Sequence, residues 1–134
     1  MDRAFEAERW LSEAEWDLET AKDLLSLNRF NAAAFYAQQA AEKAVKAMLY
    51  ALGQIPIGHS VRELLEEFGR LSGQKVEEPL MDAARELDRH YVPSRYPNAH
   101  PSGTPHEAYD EVTAKRAISC AEAILEFARK FLKS

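Results

Sequence analysis

Apolar residues recur at alternating four- and three-residue steps over residues 3–27. Ala7, Leu11, Ala14, Leu18, Ala21 and Leu25 therefore share one face of a helix. The stretch NRF at 28–30 interrupts the pattern, and a second helix is predicted from about Asn31 to Leu52, with Gly53 as its C-terminal stop. That segment, NAAAFYAQQAAEKAVKAMLYAL, is rich in alanine, so neighbouring backbones can approach it closely. Phe35, Val45, Leu49 and Leu52 supply larger knobs. SVRE at 60–63 reads as a capping box, the Ser60 hydroxyl accepting a backbone N–H while Glu63 reaches back. It opens a short helix carrying Leu64, Leu65, Phe68 and Leu71. Pro79 suits the first turn of a fourth helix, whose stripe is Leu80, Ala84, Leu87 and Tyr91. TPHE at 104–107 is a second capping box with Pro105 at the first helical position, and predicts a last helix reaching about Lys133. No strand pattern or internal repeat is present. The pattern predicts one all-α domain over 1–134, an antiparallel up-and-down bundle of four to five helices with a proline-rich loop before the last.

Two faces carry more apolar surface than a monomer needs. Trp16 points away from the first helix's core stripe, beside Phe5 and Leu27. On the last helix an arc from Tyr109 and Phe127 through Ile124 to Leu125 and Ile118 is wider than the ~100° that one packing face requires. Together they predict a partner surface, and a homodimer is its simplest form.

Composition narrows the class without changing the architecture. The 134 residues are 46% hydrophobic and 29% charged, ordinary for one soluble domain. No apolar run approaches the ~18 residues that span a bilayer, and the N-terminal MDRAFEAERW is charged where a signal peptide is apolar. A cytoplasmic, membrane-free protein is expected. Cys120 is the only cysteine, so neither an internal disulfide nor a cysteine zinc site can form, and it reads as a small buried hydrophobe. The net charge of −5 argues against nucleic-acid binding over the whole surface but leaves room for a local basic site.

One segment is out of character. YVPSRYPNAHPSGTPHEAY at 91–109 holds four of the six prolines, together with His100 and His106, and His90 immediately precedes it. No acidic residue lies between Asp88 and Glu107. A stiff cationic loop of this kind can hold an arginine around an anion, and the helix capped at Thr104 would add free backbone N–H groups. Arg95 and Tyr96 are the first candidates, with Arg89, His100 and His59 beside them. The alternative is that Arg95 pairs with a helix end or a carboxylate and Tyr96 packs the loop onto the bundle.

FYAQQAAEKAVKAML at 35–49, GHSVRELL at 58–65 and YVPSRYPNA at 91–99, in that order, resemble the HEPN domain of bacteria and archaea. The resemblance covers nearly the whole chain. It implies a dimerising helical bundle and a frequent partner, a small nucleotidyltransferase, the two often forming a toxin–antitoxin pair. It also implies, for the nuclease members, metal-independent RNA cleavage by an arginine followed four to six residues later by a histidine. Here that motif is RYPNAH, Arg95 and His100. An imidazole can move protons near neutral pH and a guanidinium can hold the phosphate. The motif departs from the nuclease form: Pro97 and Pro101 bracket it, and Ser102 stands where a tyrosine commonly follows.

The expected function is therefore a dimeric HEPN-type module that binds a nucleotide or other polyanion through its loop and works with a nucleotidyltransferase. The alternatives are a metal-independent endoribonuclease using Arg95 and His100 across the dimer, and a purely structural recruiting scaffold. No cofactor is expected. His90, His100 and His106 lack metal-ligand spacing, and the five glycines form no phosphate loop. Gln38, Gln39, Glu42 and Lys43 are expected to form a structural polar network, and Glu42 and Lys46 an ordinary i,i+4 surface pair.

Overall fold

The computed structural model of the chain describes residues 2–134. Among them the secondary structure is entirely helical. The α-helices are α1 (Arg3–Ser26), α2 (Phe30–Ala51), α3 (Val61–Ser72), α4 (Glu78–Asp88), the short α5 (Pro105–Ala108) and α6 (Glu111–Lys133), with a 3-10 turn at Pro97–Ala99.

α2 is the centre of the bundle, and its alanines are the reason. Ala33, Ala34, Ala37, Ala40, Ala41, Ala44 and Ala47 are all fully buried. α2 packs against α1 and α6, whose own alanines, Ala14 and Ala21 of α1 and Ala117, Ala121 and Ala128 of α6, lie in the same buried core. Small side chains on both partners let the helix axes come close, so dispersion contacts extend along the backbone itself. Larger side chains fill the remaining volume: Met48 and Leu49 of α2, Leu65 and Phe68 of α3, Leu87 of α4, and Ile124 and Leu125 of α6.

Cross-helix pairs fix the directions. Trp10 stacks on Tyr50 and Asp17 pairs with Lys43, so α1 and α2 run antiparallel. Glu15 pairs with Arg129 and Lys22 with Glu122, so α1 and α6 do also. The α1–α2 turn is tight because Asn28 adopts φ 59°, a left-handed value that asparagine tolerates better than most residues. At the far end of α2, Gly53 has φ 83°, and a Cβ there would meet the Arg3 side chain at 2.8 Å. The positive φ is what favours glycine there, since the Arg3 side chain end can swing aside.

Three helix ends differ from the capping pattern read in the sequence. Ser60 accepts from the Glu63 N–H as expected, but no return bond from Glu63 is made. Asp88, at the end of α4, takes that place: it accepts from the Ser60 hydroxyl at 2.7 Å and from the N–H groups of Val61 at 2.6 Å and Arg62 at 3.2 Å. A carboxylate from another helix thus closes the N-terminus of α3, where its charge also meets the positive end of the helix dipole. The Thr104–Glu107 box does form, but it opens only the four-residue α5. The long last helix starts separately at Glu111, with the Asp110 side chain accepting from the Thr113 N–H. Tyr109 between them is extended, held by its hydroxyl against His90 at 2.7 Å.

The spare arc expected on the last helix is corrected as well. Ile118, Ile124 and Leu125 are buried within the chain, Phe127 packs edge-on to Phe68, and Tyr109 lies outside α6. The arc is wide because α6 is covered by α1, α2 and α4 at once. The Trp16 surface stands as read: Trp16, Phe5 and Leu27 are all exposed. No helix among the described residues is long and apolar enough to cross a membrane.

Candidate functional site

The loop after α4 is held down before it presents anything. Ser94 is buried and donates to the His90 carbonyl, while Asn31 at the start of α2 donates to the Ser94 carbonyl at 3.0 Å. The Arg95 and Tyr96 N–H groups both turn back to the Val92 carbonyl, at 3.0 and 3.2 Å. Pro97 then starts the 3-10 turn. With proline fixing φ and these bonds fixing the rest, little loop entropy is left to lose when a ligand binds.

Arg95 is the product of this arrangement. Its guanidinium lies 4.4 Å from the ring centre of Phe35, 4.7 Å from Tyr91 and 4.9 Å from Tyr96, and its Nε donates to the Tyr91 carbonyl at 2.8 Å. Aromatic faces attract the cation without neutralising it. None of the ion pairs among the described residues includes Arg95, and its two Nη groups carry no hydrogen-bond partner there. A fork of donors is left, set in aromatic rings, which is the geometry that takes two oxygens of a phosphate or carboxylate. Tyr96 is 49% exposed and offers one more ring face at the rim.

His59 enters the same surroundings from the α2–α3 loop. Its ring stacks on Tyr91 with centroids 4.7 Å apart and planes at 16°, and its Nδ1 lies 3.3 Å from Oε2 of Glu42. Behind it the polar group of α2 is buried. Gln38 donates to both Glu42 (3.1 Å) and the His59 carbonyl (3.0 Å), Gln39 donates to Gln38, and Lys46 donates to Glu42 at 3.0 Å. Gln38, Gln39 and Glu42 therefore form part of the expected structural network and Lys46 joins it, whereas Lys43 leaves it to pair with Asp17. Glu42–Lys46 is not a surface pair: both side chains are under 10% exposed. The i,i+4 spacing reports that two side chains are neighbours, not what lies over them.

The remaining histidines and Arg89 do not join this site. His100 donates from Nε2 to the Pro93 carbonyl at 2.7 Å, bracing the loop across seven residues. His106 sits by the Thr104 hydroxyl at 3.2 Å, and the N-terminus of α5 is already closed by Glu107, so the expected anion donors there are taken. Arg89 pairs with Glu86 at 3.1 Å. Glu86 also holds Arg116 at 3.5 Å and His90 Nε2 at 3.0 Å, and His90 Nδ1 meets the Tyr109 hydroxyl. This second cluster ties α4 to the start of α6.

Burial in that cluster pushes the His90 pKa down, against the pull of Glu86, and pushes the Tyr109 hydroxyl up to about 12. Glu86 is held below the usual carboxylate range: burial opposes this, and His90, Arg116 and Arg89 outweigh it. A histidine whose folded pKa is lowered contributes stability above its ordinary value near 6.5, and that contribution is lost as pH falls below it. Urea midpoints are accordingly expected to drop between pH 7 and pH 5.5, before any carboxylate titrates. In His90→Gln the drop over this interval shrinks. An unchanged slope in that variant would place the acid sensitivity elsewhere.

Sequence reasoning names Arg95, Tyr96 and His59 as candidates but not Phe35, Tyr91 and Glu42, on which the structure seats them. The helical stripes place Phe35 and Tyr91 in the core, and both are half-buried under Arg95 instead. The i,i+4 spacing of Tyr91 and Arg95 was the available signal. A groove of about 600 Å³ on α1, lined by Phe5, Glu8, Arg9, Trp10, Ser12, Glu13 and Lys43, shares no residue with this site.

Residues 7–131 match the family model of the HEPN domain. A Methanocaldococcus jannaschii protein described as a candidate toxin is 32% identical over 136 residues, covering 95% of this chain and 88% of the relative. Three solved structures share the fold. A Thermus thermophilus protein superposes with TM-score 0.90 at 39% identity, over 97% of this chain and 98% of its own. An archaeal HEPN homologue gives 0.81 at 36%, over 98% and 99%. A HEPN domain protein from Thermotoga maritima gives 0.76 at 38%, over 93% and 98%.

Proposed function

The chain belongs to the HEPN domain family, and from that premise we propose that it is a toxin-type HEPN module that binds a nucleotide or RNA phosphate at Arg95. It acts as a dimer with a small nucleotidyltransferase in a toxin–antitoxin-type pair. The observation that carries the binding reading is the Arg95 guanidinium, free of any carboxylate and seated among Phe35, Tyr91 and Tyr96. The candidate-toxin description of the archaeal relative supports the toxin-type assignment. The exposed Trp16, Phe5 and Leu27 are the surface offered for assembly.

Arg95→Ala is expected to weaken AMP binding by roughly ten- to a hundredfold, the loss of a charge-assisted bidentate contact. Titration calorimetry on the wild type and the variant measures it, with circular dichroism to show that both are folded. Equal affinities would remove the loop from the binding role and leave a recruiting scaffold.

The toxin description also favours a second reading, metal-independent RNA cleavage by Arg95 and His100 across a dimer. In this fold His100 commits Nε2 to the Pro93 carbonyl, a bond that a cleaving form has to release. RNA cleavage in excess EDTA by the wild type, absent in His100→Ala, would replace the binding reading with this one.

A further inference from the structure

His59, which shares the Tyr91 ring with Arg95, has its ring nitrogen facing a carboxylate. Glu42 is an acceptor surrounded by donors: Gln38 Nε2, Lys46 Nζ and the His59 ring. An ionised carboxylate cannot donate, so the proton of a neutral His59 ring sits on Nδ1, 3.3 Å from Glu42. Nε2 is then an acceptor, on a side chain that is 58% exposed. The ring is kept in place by stacking on Tyr91, and the His59 carbonyl is held by Gln38. Tyr91 carries the Arg95 guanidinium as well. One tyrosine ring thus packs against a two-pronged donor and against a single acceptor.

We propose that His59, positioned by Glu42, is the acceptor half of the Arg95 site, and that its ligand is a phosphate ester bearing a hydroxyl donor, as a ribonucleotide does, rather than a bare anion. Arg95 takes phosphate oxygens, and His59 Nε2 accepts from a sugar hydroxyl. An analogue that lacks the O–H forgoes that one hydrogen bond and binds correspondingly more weakly. The inference rests on the binding reading above and sharpens it. It also moves the histidine role from His100, whose Nε2 is engaged within the loop, to His59.

AMP and 2′,3′-dideoxy-AMP are titrated at pH 8 into the wild type, His59→Phe and His100→Gln. The wild type is expected to prefer AMP about three- to tenfold, the worth of one neutral hydrogen bond. His59→Phe keeps a ring on Tyr91 and binds both nucleotides alike, at the wild type's dideoxy affinity. A wild type that binds both equally, a preference that survives His59→Phe, or one that vanishes in His100→Gln overturns the assignment. The binding reading fails separately, by Arg95→Ala binding AMP as well as the wild type does. Long-range ¹⁵N–¹H spectra of the His59 ring test the positioning without a ligand. The wild type shows protonated Nδ1 and bare Nε2, and the double variant Glu42→Met, Lys46→Met shows both tautomers. An Nε2-protonated wild-type ring, or an unaltered ring in the double variant, would remove Glu42 from the role.

Discussion

Glu42→Ala is expected to lower the unfolding free energy by about 3–5 kcal/mol, because it leaves the Lys46 ammonium buried without its carboxylate. The lysine is under 10% exposed, and the Trp10 ring, 5.9 Å from its ammonium, cannot replace an ion pair. Gln38 and His59 each lose an acceptor at the same time. For a chain of this size such a loss moves Tm down by of order 10–20 °C. Urea unfolding at pH 7 measures it, and adding Lys46→Met should restore much of the difference, since an apolar pair of similar volume has no charge to desolvate. A loss under about 1 kcal/mol would mean that water reaches Lys46 once the carboxylate is gone. The functional consequence is local: the α2 network is the floor on which His59 rests, so AMP discrimination weakens together with stability.

Phe68→Ala is expected to cost a similar amount, about 3–5 kcal/mol, with the opposite functional outcome. The ring is fully buried and meets Phe127 and Phe131 edge to face, at 5.8 and 4.8 Å, so its removal leaves a cavity bounded by two other aromatic rings. No residue of the Arg95 seat touches it through these contacts. In conditions where the variant remains folded, AMP affinity should match the wild type. A measured loss below about 1.5 kcal/mol would indicate that α3 closes over the space. A changed affinity in the folded variant would show that α3 transmits strain to the His59 loop. The two substitutions thus separate the stability of the bundle from the floor of the site.

Much of the fold was legible in the order of side chains. The α1 stripe from Ala7 to Leu25 faces the core as read, and the alanines of α2 mark the helix that others approach. The Pro-rich segment before α6 carries the candidate site's free cation, and Pro79 and Pro105 both start helices. The differences arise where two elements meet. Asp88 closes the start of α3 through the Val61 and Arg62 N–H groups, where the local pattern looks to Glu63, and Asp110 starts the long helix that the pattern gives to Thr104. His59 meets Glu42 and Trp10 lies by Lys46, whereas i,i+4 spacing alone leaves the Glu42–Lys46 pair on the surface.

The sequence by itself determined which segments become helices, which face of each is apolar and where the chain departs from the helical pattern. These follow from a 3.6-residue period, from proline's fixed φ and from capping groups within a few residues, all properties of neighbours in the chain. Only the tertiary structure decided that Phe35 and Arg95, far apart in the chain, share one site. It also decided that Glu42 is buried beside the His59 ring, and that His100 Nε2 turns back to the Pro93 carbonyl. Burial, hydrogen-bond partners and tautomers depend on which distant backbone comes to rest over a side chain, and that is set by the packing of the whole bundle rather than by any local pattern.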